Sequence, residues 1–355
     1  MWQGARPFVV LGRDDTCRAT TSLWLGPQDG RALPPFTPGQ FVTVTARPGG
    51  KPTCFSLSAA PDARRWRITV KDQAPDERPP RRVSSLLARG ARRGELLQLD
   101  APAGRFVLPP GLDPVVLVAG GVGVMPFVAI LEAAARTRDP RPFVVVLGMR
   151  RRDEHPLRTE LAAAVAALPS ARLHVVYSQP GPGEVQGRDF DRRGRVDVAL
   201  LQTLLPPADR PYGFWLCGPA PMLVDLVEGL AALGVPRSAV RVEVFGRSTV
   251  RLLRGVVGPA QAPPPAGSLA VTFTRSGKEV AWDPAAETLL GLAERSRVPI
   301  PSACLAGRCG TCMTPLTSGS VRYLVEPTFG ALRPGSCLPC VAVPASSPGS
   351  ISLDA

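Results

Sequence analysis

Cys304, Cys309 and Cys312 are spaced C-x4-C-x2-C, and Cys340 follows farther along the chain. Four thiolates in this arrangement suit a [2Fe–2S] cluster; the bacterial run is C-x2-C-x2-C instead. Gly307 and Gly310 allow the loop to curl tightly, with peptide N–H groups turned toward sulfur to stabilise a negative cluster. Zinc also takes four thiolates, usually from two short knuckles, which Cys309/Cys312 and Cys337/Cys340 would supply. The second pair leaves the fourth ligand open between Cys337 and Cys340. Cys340 is preferred, because it begins an apolar run able to carry it back under the loop; Cys337 is then a spare thiol.

A different chemistry is written at Val115–Pro126, Val-Val-Leu-Val-Ala-Gly-Gly-Val-Gly-Val-Met-Pro. An apolar strand, a turn containing Gly120, Gly121 and Gly123, and a helix start at Pro126 make a phosphate site. Glycines let the backbone approach a pyrophosphate, and a helix N-terminus offers free N–H groups and a positive dipole end. Trp215-Leu216-Cys217-Gly218-Pro219-Ala220-Pro221-Met222 has the same strand-to-helix form, on the same edge of the sheet.

Together the two loops resemble the nucleotide domain of the ferredoxin–NADP reductase superfamily, where they read A-G-G-x-G-x-T/S-P and C-G-P-x-x-M. Met125 stands where that family has Thr or Ser. Leu157–Leu161 and Val242-Glu243-Val244-Phe245 extend the likeness. The resemblance implies that Gly120, Gly121, Gly123 and Pro126 hold the dinucleotide phosphates. It also implies that Cys217 lies by the nicotinamide ring where hydride leaves, with Gly218, Pro219, Met222 and Phe245 as further contacts. Arg150, with Arg151 and Arg152, is expected to touch a 2′-phosphate or the pyrophosphate, or else to remain solvated. Gln179 follows Ser178 where NADPH-using members often have Arg, so NADH is favoured over NADPH.

Thr53-Cys54-Phe55-Ser56-Leu57-Ser58 resembles the same superfamily's flavin motif, R-x-Y-S/T-L-x-S, and Ile68–Lys71 the strand after it. Val83-Ser84-Ser85-Leu86-Leu87 resembles its G-x-x-S-x-x-L helix start, and Ala101–Phe106 the segment that closes its barrel. By that resemblance Phe55 stacks on the isoalloxazine and Ser56 offers a hydroxyl to the N5 or O4 edge. Thr53, Cys54, Leu57 and Lys71 line the flavin, and Val83, Ser84 and Ser85 hold a phosphate with the helix N–H groups. Thr53 replaces the motif's phosphate-binding Arg, and Arg81 its Gly; a guanidinium from Arg81 or Arg82 is the expected substitute. FAD is expected, with FMN the alternative. The tail resembles plant-type ferredoxins over its whole length. Free ferredoxins are very acidic, whereas residues 267–355 hold seven Lys/Arg against six Asp/Glu.

Three folded regions must position these groups. Residues 1–109 carry short strand-like runs, Phe8–Leu11, Thr20–Leu25, Gln40–Ala46, Phe55–Ser58, Trp66–Val70 and Leu96–Leu99, with one helix at Val83–Arg89, and predict an antiparallel β-barrel. In residues 110–247, apolar strands (Val115–Val118, Phe143–Leu147, Leu173–Tyr177, Tyr212–Leu216, Val240–Val244) alternate with helices (Pro126–Arg136, Leu157–Leu168, Val196–Leu204, Pro221–Leu233). That alternation predicts an α/β domain with a parallel sheet. Residues 248–266 include a proline run and read as a linker. Residues 267–355 open with a hairpin, Leu269–Thr274 and Glu279–Trp282, then a helix Ala286–Ser296, the cysteine loop and two short strands. The ferredoxin likeness implies an α+β, β-grasp fold there.

The net charge of +13 raises the question of nucleic acid. Lysine occurs only at Lys51, Lys71 and Lys278, and the remaining basic residues are arginines in a chain rich in Ala, Pro and Gly, a pattern of GC-rich coding. Aromatic residues make up 6%, and no helical basic stripe is present, so no nucleic-acid partner is expected. No apolar run is long enough to span a bilayer, the N-terminus lacks a secretory core, and the cytoplasm is the expected compartment. The resemblance therefore implies an oxidoreductase that moves electrons from NADH or NADPH through a flavin and a low-potential cluster (about −400 mV) to a partner oxygenase or desaturase. Two other readings are a redox-sensing regulator that binds nucleic acid through its basic surface, and a flavin reductase with a zinc-holding tail.

Overall fold

The computed structural model describes residues 2, 4–74, 76, 77, 79, 82–111, 113–205, 211–244, 265–267, 269–329, 332–345 and 350–355. Arg81, Phe245 and most of the expected linker lie outside the described residues.

The N-terminal strands β1 (Arg6–Cys17), β2 (Thr20–Pro27), β3 (Phe41–Thr45), β4 (Thr53–Ser56) and β5 (Trp66–Lys71), then helix α1 (Val83–Gly90) and strand β6 (Leu96–Leu99), follow the expected order. The six strands form an antiparallel sheet in the order β4-β3-β6-β1-β2-β5. Alternation turns one face inward, and Phe8, Val10, Leu23, Leu25, Val42, Val44, Ile68, Val70, Leu97 and Leu99 share one core. Leu57, one residue past β4, bridges Ile68 of β5. That bridge joins the two edge strands and closes the sheet into a barrel.

Next come β7 (Val115–Gly120), α2 (Met125–Thr137), β8 (Phe143–Met149), α3 (Arg158–Ala166), β9 (Ala171–Tyr177), β10 (Arg192–Arg193), α4 (Val198–Leu204), β11 (Gly213–Cys217), α5 (Ala220–Ala232) and β12 (Val240–Glu243). Their sheet is parallel throughout, in the order β10-β9-β8-β7-β11-β12. The central strand β7 is buried along its whole length, as a strand covered on both faces must be. From β7 the chain moves outward to β10, then returns to β11 on the opposite side. The order therefore reverses between β7 and β11, where open α/β sheets bind ligands beyond the strand ends.

The barrel and this sheet cluster as one compact unit, Met1–Pro102 with Phe106–Val244, and the second unit is Phe245–Ala355 with Ala103–Arg105. In the second unit lie β13 (Ala270–Phe273), β14 (Lys278–Ala281), α6 (Leu289–Arg295), β15 (Thr314–Ser318), β16 (Val321–Tyr323), β17 (Ser336–Cys337), β18 (Ala342–Pro344) and β19 (Ile351–Leu353). A mixed sheet runs β14-β13-β19-β15-β17, and β16 pairs with β18. Val271, Phe273, Trp282, Leu289, Ile351 and Leu353 fill its core.

Two expectations for this unit need correction. The helix is shorter than Ala286–Ser296, because Glu287 takes φ +67° and breaks the run. Thr288 then caps α6 by accepting from Gly291 N at 3.0 Å. Among the described residues five strands, not two, follow the cysteine loop; four of them have only two or three residues, too few to show alternation. Among the described residues no helix is long and apolar enough to cross a membrane.

Candidate functional site

At the barrel edge, β4 pairs with β3 in the register Val44↔Thr53, Thr43↔Cys54, Val42↔Phe55 and Phe41↔Ser56. Cys54 Sγ lies 3.6 Å from Thr43 Oγ1. The Leu57 side chain belongs to the barrel core, and Phe55 is half-buried along its margin. Ser56 is different. Its hydroxyl is buried yet has no hydrogen-bond partner in the described protein. A buried hydroxyl costs free energy unless it is paired, so Ser56 fits a polar ligand edge lying against β4.

Beyond β5, Ser85 of α1 donates to Asp72 Oδ1 at 2.6 Å, and Arg89 Nε donates to Asp72 Oδ2 at 2.5 Å. The Arg89 guanidinium, helped by Ser85, holds the Asp72 carboxyl down at about 2. Ser85 is thus engaged in fastening α1 to the barrel, while Ser84 and Val83 lie at the helix start and Arg82 at its N-cap. Arg82 Nη1 donates to Gln73 Oε1 at 3.2 Å. Lys71 Nζ lies 3.7 Å from Glu154 Oε2, so its charge is shared with the parallel-sheet region.

The two glycine loops meet at the switch point. A Cβ on Gly123 would lie 2.0 Å from the Cys217 carbonyl oxygen. One on Gly120 would lie 2.6 Å from Pro219 Cδ and 2.9 Å from Met222 Sδ, and one on Gly218 2.6 Å from Met222 Cε. These three glycines allow the loops to pack on each other. Gly121 alone of the four, at φ +55°, would turn a Cβ into open space. Pro126 occupies the first turn of α2, where its missing N–H costs nothing.

Cys217 ends β11 fully buried, with Ala119 of β7 on one side and Glu243 of β12 on the other. Glu243 is only 1% exposed. It was not among the sequence candidates; a carboxylate near the end of the strand-like run Val240–Val244 was the available signal.

The arginine run divides in three. Arg152 Nη1 pairs with Asp189 at 3.2 Å, and Arg188 approaches the same carboxylate at 2.8 Å. Arg151 faces Asp153 and Glu154 at 3.8 and 3.9 Å. Arg150 is exposed at the end of β8, and its carbonyl accepts from Gln179 N at 2.9 Å.

In the second unit, Cys304 Sγ accepts from Ala306 N and Arg308 N, both at 3.4 Å. Leu305, Gly307 and Gly310 all have positive φ. A Cβ on Gly310 would lie 2.4 Å from the Phe329 ring, so glycine is required there for packing as well as conformation. Cys340 donates to Cys312, which lowers the Cys312 thiol and pushes Cys340 well up. Cys337 is buried in β17 opposite Thr314, and burial pushes it up to about 12. Among the described residues no three His, Cys, Asp or Glu side chains converge as round one ion. A diiron cluster takes its four thiolates two to an iron, and Cys312 and Cys340 lie close enough to interact. N–H groups aimed at sulfur and a thiol pair beneath the loop fit that group.

Residues 117–228 match the model of the oxidoreductase NAD-binding domain, and residues 271–345 that of the 2Fe-2S iron-sulfur cluster binding domain. The Flavohem-like-FAD/NAD binding domain of nitric oxide dioxygenase from Vibrio cholerae O1 biovar El Tor is 30% identical, with TM-score 0.60 over 69% of this chain and 100% of that one. The chain belongs to the ferredoxin–NADP reductase superfamily. Its tail adds a [2Fe–2S] ferredoxin domain to that superfamily's two-part body. The flavohemoprotein of Rhizobium meliloti (strain 1021) is 35% identical over 250 residues, 69% of this chain. The chain spans only 61% of that relative's length. Phthalate dioxygenase reductase shares the fold over 99% of this chain and 98% of its own, with TM-score 0.61 at 22% identity.

Proposed function

We propose that this chain is an NAD(P)H-dependent reductase that takes hydride onto FAD and passes single electrons through a [2Fe–2S] cluster to a partner oxygenase or desaturase. The observation that carries the reading is Ser56, a buried hydroxyl without a partner, in the same compact unit as the Gly120–Cys217 crevice. In this reading residues 1–109 hold the flavin, 110–247 the nicotinamide dinucleotide and 267–355 the cluster, with 248–266 as the link. The cytoplasm is the compartment it implies.

When bound, a flavin accepts two electrons as one hydride and releases them singly, which joins a nicotinamide to a one-electron cluster. The chain's own residues provide placement. Ser56 offers a rotatable hydroxyl to the flavin N5 or O4 edge, with Phe55 along the ring and Thr53, Cys54, Leu57 and Lys71 around it. Ser84, Val83 and the α1 N–H groups take the phosphate side, with Arg82 beside them. Gly121 and the start of α2 offer N–H groups to the pyrophosphate. Cys217 and Glu243 border the nicotinamide, backed by Gly218, Pro219 and Met222. Cys304, Cys309, Cys312 and Cys340 ligate the cluster, and the N–H groups of Ala306 and Arg308 offset its charge.

NADH is the favoured donor. Asp189 pairs with both Arg152 and Arg188, and Glu184 accepts from the Arg152 backbone N at 3.0 Å. Two carboxylates among the arginines disfavour an added 2′-phosphate.

The test is metal, sulfide and flavin analysis of the purified chain, followed by NADH- and NADPH-dependent reduction of cytochrome c. Two irons, two sulfides and one FAD per chain with NADH turnover are expected for this reading. Zinc in place of iron, or no turnover with either nucleotide, contradicts it.

A further inference from the structure

Arg67 is a charged residue buried where the barrel meets the parallel-sheet region, with 5% of its side chain exposed. It belongs to β5, and its guanidinium lies over the Trp24 ring, 5.2 Å from its centroid, with two sets of hydrogen-bonding partners. Nε and Nη2 both donate to the Ser58 carbonyl, the last peptide of the Thr53–Ser58 stretch. Nη2 also pairs with Glu132 Oε1 of α2 at 3.0 Å, and Nη1 with Glu160 Oε1 of α3 at 3.4 Å. The other oxygen of Glu132 accepts from Ala60 N at 2.8 Å, and Arg136, one helical turn on, donates to the Pro61 carbonyl at 2.9 Å.

These bonds end either on the chain just after Ser56 or on helices α2 and α3 of the parallel-sheet region. Helix α2 begins at Met125, directly after the turn holding Gly121 and Gly123. Burying an ion pair gains little stability, because desolvation offsets the attraction. What such a pair does well is fix an orientation, here with two donors converging on one carbonyl and two acceptors on one carboxylate.

We propose that Arg67 is a positioning residue for hydride transfer. By tying the Ser58 peptide to Glu132, it sets the distance between the Ser56 edge and the Gly120–Cys217 crevice. The inference rests on the function proposed above. A misplacement of about 1 Å costs hydride transfer about 100-fold, so a latch between the two half-sites acts on rate more than on affinity.

The test uses the full-length holoprotein in anaerobic stopped flow at saturating NADH, with Arg67→Met, Arg67→Lys and Glu132→Gln compared with wild type. Arg67→Met is expected to slow flavin reduction about 10- to 100-fold with the half-saturating NADH concentration unmoved. The long-wavelength charge-transfer absorption of reduced flavin with bound NAD⁺ should be lost, while flavin content and the dithionite-reduced cluster spectrum stay the same. Arg67→Lys, which keeps a charge and a donor for Ser58, should restore much of the rate and the band. A full rate and a normal band in Arg67→Met overturn the proposal, as does a rate that falls only in proportion to lost flavin. Should Arg67→Met fail to fold, Glu132→Gln keeps the shape and decides it: a slower rate with a weakened band supports the latch, and wild-type behaviour refutes it. Failure of the function itself has another signature, a wild-type protein whose flavin NADH does not reduce.

Discussion

Cys217 and Glu243 are register partners at the carboxyl ends of the parallel strands β11 and β12, and both side chains are buried. They flank the crevice from the β11 side, while the glycine turn after β7 flanks it from the other. In the proposed reading this thiol and carboxylate border the nicotinamide ring and not the phosphates. Cys217→Ala and Glu243→Gln should therefore each lower the rate of flavin reduction at saturating NADH, by about tenfold or more, with nucleotide affinity little changed. Stopped-flow reduction across an NADH series separates the two effects. A rise in half-saturating NADH at full rate would mean that these residues serve binding alone.

The glycine turn yields a sharper contrast. Gly123→Ala must push the new methyl into the Cys217 carbonyl, 2.0 Å away, and so drive the two loops apart. Gly121→Ala meets nothing and bears only the cost of a left-handed backbone, about 1–2 kcal/mol. Thermal unfolding should show Gly123→Ala as the more damaging of the two by about 1–3 kcal/mol, with NADH-dependent turnover lost. Equal tolerance of the two substitutions would contradict the packing described.

His155 makes stability depend on pH. Burial lowers its pKa to about 4, and its Nδ1 lies 3.3 Å from the Tyr177 hydroxyl. Between about 6.5 and 4 the unfolded chain binds a proton that the folded chain refuses, so stability falls as pH falls through that window. Below about 4 both states carry the proton and the loss levels off. The full loss is about 3 kcal/mol by linkage. Urea unfolding at several pH values should show a shallower acid slope in His155→Phe than in wild type; parallel slopes would remove His155 from the account.

The fourth cluster ligand is decided by comparing two cysteines three positions apart. Cys340 is hydrogen-bonded to Cys312, whereas Cys337 belongs to β17 opposite Thr314. Cys340→Ala should lose iron and sulfide, and Cys337→Ala should retain both. Metal analysis after identical reconstitution gives the answer, and the reverse pattern would assign the ligand to Cys337.

Much of this was legible in the residues. The Val115–Pro126 strand, turn and helix stood out because a doubly covered strand reads as an unbroken apolar run, and glycine and proline punctuate its end. The cysteine loop stood out because a cluster needs thiols at fixed spacing. What the sequence did not reveal depends on pairing between distant segments. Glu243 gains its place from the register of β12 on β11, and Arg67 gains its partners from α2 and α3. Gly120 and Gly123 looked like room for a ligand, yet their nearest neighbours are the opposite loop, and Gly218 is closed in by Met222 of its own loop. Ser85 looked like a phosphate ligand beside Ser84, but Asp72 takes its hydroxyl.

The most direct test is an anaerobic titration of the holoprotein with NADH, followed by absorption and by electron paramagnetic resonance. The account predicts that the flavin and iron–sulfur bands bleach together and that a reduced [2Fe–2S] signal grows with each addition. Bleached flavin beside a cluster that stays oxidised, or no spectral response to NADH, would contradict it.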